Sequence, residues 1–286
     1  MAQTKTEIAA LLREAGLAPN KRFGQHFLID GNLMQRLVAA GDPGRRDVVL
    51  EVGVGTGSLT EALLERAGHV VAVEVDRGLY GLAYERLGAV ENVSLLHVDV
   101  LETKSRTSAQ VLTAVRQACD RLGGPAMLVA NLPFNIASPL IVDLALCDLP
   151  LNRLCFTVQR EVATRISAGP NGKDFGPLSV VLQAAGEIRF ITAVPKQAFW
   201  PVPAVESTLL RIDLAADRRE RLEALRNLNR VVRACFLHRR KTLAHNLRYA
   251  FPEAAASIAE TGRWDLTRRP ENLSVDEWIA LAAEVP

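Results

Sequence analysis

Apolar residues in this chain fall into short continuous runs separated by segments of helical spacing, an alternation that predicts a layered α/β fold. Residues 47–52 (Asp-Val-Val-Leu-Glu-Val) and 70–75 (Val-Val-Ala-Val-Glu-Val) read as buried strands. Between them, residues 58–67 carry Leu59, Ala62, Leu63 and Ala67 and have helical composition. Strand, glycine turn, helix and strand make a βαβ unit of the doubly wound class. Further strands are predicted over 93–98, 126–130, 154–158 and 207–212, giving a mostly parallel sheet with helices on both faces. The stretch 101–125 reads as a helix between polar connections, and 168–177, dense in turn formers, as an exposed loop. Beyond Asp213 the strand signals stop. A boundary there divides the chain into domain 1–213, opened by a helical lead-in over 1–45, and a small C-terminal helical domain, 214–286.

Composition narrows the picture only a little. Of 286 residues, 49% are hydrophobic and 23% charged, enough for a real core. The net charge of +2 is silent about nucleic acid. No run of about 18 apolar residues occurs, so no membrane partner is expected. The first residues carry Lys5, Glu7 and Arg13 and make a poor signal peptide. Cys119, Cys147, Cys155 and Cys235 show no C-x-x-C spacing, so neither a metal site nor a disulfide is expected. A reducing cytoplasm is the expected compartment.

Candidate chemistry gathers at the ends of the predicted strands. Glu51-Val-Gly-Val-Gly-Thr-Gly57 closes the first strand, where glycines let the backbone turn sharply and approach a ligand. A pyrophosphate-binding dehydrogenase uses G-x-G-x-x-G. The G-x-G-x-G of Gly53, Gly55 and Gly57 suits S-adenosylmethionine instead, although a plain strand-to-helix turn has the same form. Glu74, 21 residues after Gly53, is spaced to accept hydrogen bonds from ribose hydroxyls. Asp99, after the third strand, suits the adenine amine of the cofactor. Asn131-Leu-Pro-Phe134 ends the fourth strand. The exocyclic amine of adenine is a poor nucleophile because its lone pair is delocalised into the ring. An amide oxygen of Asn131 and the Leu132 carbonyl can each accept one N–H, drawing the nitrogen towards tetrahedral geometry. Pro133 fixes the turn, and the ring of Phe134 suits stacking on a flipped base. A type I turn capping a strand is the bland alternative.

With these residues in place, the chain resembles the KsgA-type rRNA adenine N6,N6-dimethyltransferases of the small ribosomal subunit. The resemblance runs from about Lys21 to the C-terminus. It is carried by Phe23-Gly-Gln-His-Phe-Leu28, the glycine segment, Asn131-Leu-Pro-Phe-Asn-Ile-Ala-Ser-Pro139, Val158-Gln-Arg-Glu-Val-Ala163, Gly176-Pro-Leu-Ser-Val180, Phe199-Trp-Pro-Val-Pro203 and Arg239-Arg-Lys-Thr-Leu243. It implies a Rossmann-like class I methyltransferase fold with a seven-stranded, mostly parallel sheet. It also implies dimethylation of two adjacent adenosines near the 3′ end of 16S rRNA, within a 30S precursor. His26 and Leu28 would contact the cofactor alongside Gly53, Glu74, Asp99 and Asn131, while Phe134 and Phe199 would sandwich the target adenine. Members of this family usually carry tyrosine where this chain has Phe134, which keeps the stacking face and loses the hydroxyl. Residues 99–131 are longer than usual for the family, suggesting a surface insertion.

An RNA-binding face is expected in the C-terminal domain. Residues 226–248 hold six arginines, Lys241, two histidines and no acidic residue. Arg226, Arg230 and Arg233 share one helix face, opposite an apolar stripe of Leu225, Leu228, Val232 and Cys235. Arg239, Arg240 and Lys241, with Arg22 near the active-site approach, are candidate phosphate contacts. A merely solvated helix face fits the same composition. Competing readings are a 23S rRNA adenine methylase of the resistance type, a non-catalytic RNA-binding assembly factor, and a nicotinamide dehydrogenase, the last disfavoured by the glycine spacing. A monomer is expected.

Overall fold

The computed structural model describes residues 3–20 and 23–286, so Lys21 and the expected RNA contact Arg22 lie outside the described residues. The chain forms two compact units. One comprises 1–144, 149–160 and 189–214, and the other 145–148, 161–188 and 215–286. Segments 145–148 and 161–188, assigned from sequence to the first domain, therefore group with the C-terminal helices.

In chain order the elements begin with α1 (Lys5–Glu14), β1 (Phe27–Leu28), α2 (Gly31–Gly41), β2 (Val48–Val52), α3 (Ser58–Leu64), β3 (His69–Glu74), α4 (Arg77–Leu87) and β4 (Val93–His97). There follow β5 (Leu101–Thr103), β6 (Arg106–Thr107), α5 (Ala109–Leu122), β7 (Ala126–Asn131), α6 (Ala137–Leu146), β8 (Leu151–Gln159), α7 (Arg160–Ser167) and α8 (Pro177–Ala185). The chain ends with β9 (Gly186–Val194), β10 (Phe199–Trp200), β11 (Ser207–Leu214), α9 (Leu222–Phe236), α10 (Leu243–Ala250), α11 (Pro252–Thr261) and α12 (Val275–Ala283).

The first unit is built on a seven-stranded sheet in the order β4-β3-β2-β7-β8-β11-β9. Neighbours from β4 through β8 run parallel, and β11 lies antiparallel to β8. This is the expected Rossmann-like arrangement. Every residue of β2 and β3 is buried, as is β7 up to Asn131. Strands covered on both faces need apolar residues throughout, which is why these runs were legible. The seventh strand, β9, lies at the sheet edge with a mixed burial pattern and carries no continuous apolar run. From β2 the sheet order passes to β3 and β4 on one side and to β7 and β8 on the other. Beyond the carboxyl ends of β2 and β7 such a switch opens a crevice.

Two expectations need correction. The stretch 101–125 does hold one helix, α5, but the connection before it is an antiparallel hairpin, β5–β6, with an exposed tip over 102–106. The 168–177 loop is irregular but not wholly exposed, because Phe175 is fully buried and anchors it.

The second unit is helical, with α8, α10 and α12 packed on α9. The predicted stripe of Leu225, Leu228, Val232 and Cys235 is buried, joined by Leu222 and Val231. Trp278 of α12 is fully buried, its ring 5.8 Å from that of Phe236. Buried Arg218 donates to the carbonyls of Ala145 and Cys147, at 3.0 and 2.8 Å, satisfying acceptors where α6 ends. All four cysteines are buried and not joined in disulfides. Among the described residues no helix is long and apolar enough to cross a membrane.

Candidate active site

A cleft of about 980 Å³, its open mouth included, lies in the first unit beyond the carboxyl ends of β2, β3 and β7. Its floor begins where β2 runs into the glycine turn. Gly53, Gly55 and Gly57 have φ of 84°, 59° and 82°, in the left-handed region that glycine adopts without strain. A Cβ at Gly55 would stand 3.1 Å from the Phe27 ring, so that position is both conformationally and sterically reserved. Gly53 and Gly55 line the cleft, whereas Gly57 does not. Gly57 is the N-cap of α3, and a Cβ there would meet Leu87 at 2.9 Å, so its lack of a side chain makes room for packing.

Acidic side chains mark the walls. Glu74, at the end of β3, accepts from the Gly55 N–H at 2.9 Å and from the N–H groups of Val75 and Asp76 at 3.0 Å. Burial pushes its carboxyl up from the ordinary range, and the three N–H donors oppose that rise. Asp99 follows β4, is exposed, and accepts from the Leu101 N–H at 3.0 Å. Glu51, the penultimate residue of β2, is 1% exposed, and neither carboxylate oxygen has a hydrogen-bond partner among the described residues. Burial pushes Glu51 up to about 8, with the Glu74 charge adding to it. The neighbouring Thr60 hydroxyl acts the other way, but it is not placed to complete a hydrogen bond.

Asn131 ends β7 at the cleft wall. Its Nδ2 donates to the His26 carbonyl at 2.8 Å, and its Oδ1 accepts from the Thr157 hydroxyl at 2.5 Å. Leu132 is buried, and Leu132, Pro133 and Phe134 all line the cleft. His26 and Leu28 line it too. The His26 ring stacks on Phe134 and donates through Nδ1 to the Pro201 carbonyl at 2.6 Å. The neighbouring pair Phe27–Leu28 forms a two-stranded ladder with Phe199–Trp200.

That ladder decides Phe199. The residue is 1% exposed, belongs to the core with Val194, Ala198 and Leu209, and is not among the residues that line the cleft. The expected aromatic sandwich of Phe134 and Phe199 is therefore not formed in this structure. Two participants escaped the sequence reading. Gln25 donates to Asp76 at 3.0 Å, and Thr157 holds Asn131. The Thr157 signal was a lone hydroxyl inside a buried apolar strand.

Within the second unit, the basic residues divide. Arg239 donates to Glu271 and to the carbonyls of Lys173 and Gly172, at 3.0, 2.6 and 2.9 Å. Its guanidinium fastens the 168–177 loop, which corrects its assignment as a phosphate contact. Arg226 donates to the Leu146 carbonyl at 3.0 Å, and Arg230 to Asn227 while lying over the Phe251 ring. Arg233, Arg240 and Lys241 are exposed.

Comparison with known proteins converges on one family. A family model described as ribosomal RNA adenine dimethylase matches residues 16–285. Ribosomal RNA small subunit methyltransferase A of Magnetococcus marinus is 38% identical over 275 residues, covering 96% of this chain and 95% of that one. The protein of the same name from Bacillus licheniformis is 35% identical over 278 residues, covering 95% and 93%. Two solved structures share the fold. A dimethyladenosine transferase from Plasmodium falciparum aligns with a TM-score of 0.69 at 20% identity, over 90% of this chain and 96% of that one. The 23S rRNA methyltransferase ErmE aligns with a TM-score of 0.62 at 23% identity, over 91% and 99%. The chain belongs to the ribosomal RNA adenine dimethylase family.

Proposed function

We propose that this enzyme transfers methyl groups from S-adenosylmethionine to the exocyclic N6 amines of two adjacent adenosines near the 3′ end of 16S rRNA. The observation that carries the reading is Asn131, whose amide is fastened at the wall of the same cleft that Gly53, Gly55, Glu74 and Asp99 line. When bound, the cofactor supplies an electrophilic methyl group on a sulfonium. The residues fit such a ligand. Gly53 and Gly55 let the main chain come close, Glu74 suits the ribose hydroxyls, and Asp99 suits the adenine amine. The buried, unpartnered carboxyl of Glu51 suits a ligand ammonium, whose positive charge would favour the ionised form that burial alone disfavours. His26 and Leu28 complete the wall.

Asn131 Oδ1 and the Leu132 carbonyl each take one N–H of the target amine, which exposes the nitrogen lone pair. Pro133 holds the turn, and Phe134 stacks on the base once it has left its helix. No strong base is required, so these residues act chiefly by positioning. Exposed Arg240 and Lys241 supply phosphate contacts in the helical unit. The partner is a 30S precursor in the cytoplasm, and the working form is a monomer.

Incubation of unmethylated 30S and 50S particles with the enzyme and labelled cofactor tests the reading. Label in the small subunit, mapped by mass to dimethyladenosine in 16S rRNA, is expected. Labelling of the 50S particle alone would overturn the choice of substrate, and absence of cofactor binding in calorimetry would favour a non-catalytic assembly role.

A further inference from the structure

The run Leu154–Val158 of β8 is buried and apolar except at Thr157, which is 2% exposed while Leu154, Cys155, Phe156 and Val158 are each fully buried. A hydroxyl in such a place is costly unless it is hydrogen-bonded. Thr157 is the register partner of Asn131 in the β7–β8 ladder, so its side chain has that residue as its neighbour across the strands. Its Oγ1 donates to Asn131 Oδ1 at 2.5 Å. Thr157 does not line the cleft.

We infer that Thr157 is a positioning residue for methyl transfer, holding the amide oxygen of Asn131 where the target amine meets it. This rests on the role given to Asn131 above. The amide is constrained from both ends. Main-chain carbonyls only accept, so the contact with His26 must be made by Nδ2, and Oδ1 is turned towards Thr157. The Thr157 proton then occupies one acceptor position of Oδ1. An amide oxygen has a second acceptor position, and that one remains for the substrate N–H. Without the hydroxyl, Oδ1 is held only through the far end of its own amide, and the side chain gains freedom about its terminal torsion. Misplacement of a reacting group by about 1 Å can cost about 100-fold in rate, so a partial loosening is enough to matter.

The test compares Thr157→Val, Thr157→Cys and Thr157→Ser with the wild type. Valine keeps the shape and removes the donor, cysteine offers only a weak S–H donor, and serine restores the hydroxyl. Thr157→Val is expected to lower kcat about tenfold, with KM for cofactor and for RNA within about twofold. Thr157→Cys should fall between, and Thr157→Ser should recover kcat to within about threefold. A second readout needs no turnover. In 15N-labelled protein without ligand, the Asn131 side-chain NH2 resonances should move in Thr157→Val and stay near the wild-type position in Thr157→Ser. If Thr157→Val does not fold, the cysteine and serine variants carry the comparison. Unchanged kcat in a folded valine or cysteine variant, with the wild type active, would overturn the role of Thr157 alone. An inactive wild type would instead overturn the functional reading.

Discussion

The ring of His26 stacks on the ring of Phe134, their centroids 5.5 Å apart and their planes 30° from parallel. Phe134 is thereby held by a histidine that is itself fixed on the Pro201 carbonyl. Base stacking on an aromatic ring is worth about 1–3 kcal/mol. Phe134→Ala should therefore raise KM for RNA about tenfold or more, whereas Phe134→Tyr should stay within about threefold of wild type. Steady-state kinetics on 30S particles measure both, and an unaffected alanine variant would remove Phe134 from the base site.

Removing the acceptor for the target amine should act on the chemical step. Asn131→Ala is expected to lower kcat by about 100-fold or more, by analogy with the loss of one preorganised transition-state contact. Single-turnover methylation at saturating cofactor checks this, and a loss seen only in KM would point to a binding role.

The two halves of the Arg239-Arg240-Lys241 segment should separate experimentally. Arg239→Ala breaks contacts to Glu271, Lys173 and Gly172 and should cost about 1–3 kcal/mol of stability, leaving the salt dependence of RNA binding unchanged. The double substitution Arg240→Ala, Lys241→Ala should leave stability intact and flatten the log-affinity against log-salt slope by about 2. Urea unfolding and filter binding across a salt series distinguish them.

Glu51 makes the ligand-free protein sensitive to pH. Its carboxyl lies at about 8 in the fold against an ordinary 4.5, because burial disfavours the charged form. The folded value is the higher one, so the group's contribution is fully present below about pH 4.5 and is lost as pH rises towards 8. At about 1.4 kcal/mol per unit, the total is on the order of 5 kcal/mol. Glu51→Gln should flatten the fall in urea midpoint between pH 6 and 8. Identical pH dependence in both proteins would count against a buried, ligand-awaiting carboxylate.

Phe199 is a core residue in this structure, and its substitution should behave accordingly. Phe199→Ala is expected to cost about 3–5 kcal/mol of stability. Thermal denaturation read beside kinetics decides the matter: a fully stable variant with a selective loss of RNA affinity would return Phe199 to the base site.

Much of the site was legible because its main groups sit where local pattern ends. Gly53, Glu74 and Asn131 stand at the ends of buried parallel strands, which announce themselves as continuous apolar runs, and Asp99 follows the half-buried strand β4. At Gly57, spacing cannot tell a glycine that faces a ligand from one that admits Leu87. Strand β9 was missed for a related reason: at the sheet edge, burial alternates irregularly and leaves no clean period.

By itself, the sequence determined the βαβ alternation, the left-handed glycine turn after β2 and the Asn131-Leu-Pro-Phe134 terminus of β7, all of them short-range features encoded in neighbouring residues. Tertiary structure alone decided which way the Asn131 amide points, because its partners are a main-chain carbonyl at His26 and a hydroxyl at Thr157. A carbonyl has no side-chain signature, and a lone threonine in an apolar run reads like any β-branched residue. Folding also sent Phe199 into the core and Arg239 onto the 168–177 loop. An aromatic ring or a guanidinium can serve a ligand or the protein itself, and only the segments packed around it settle which.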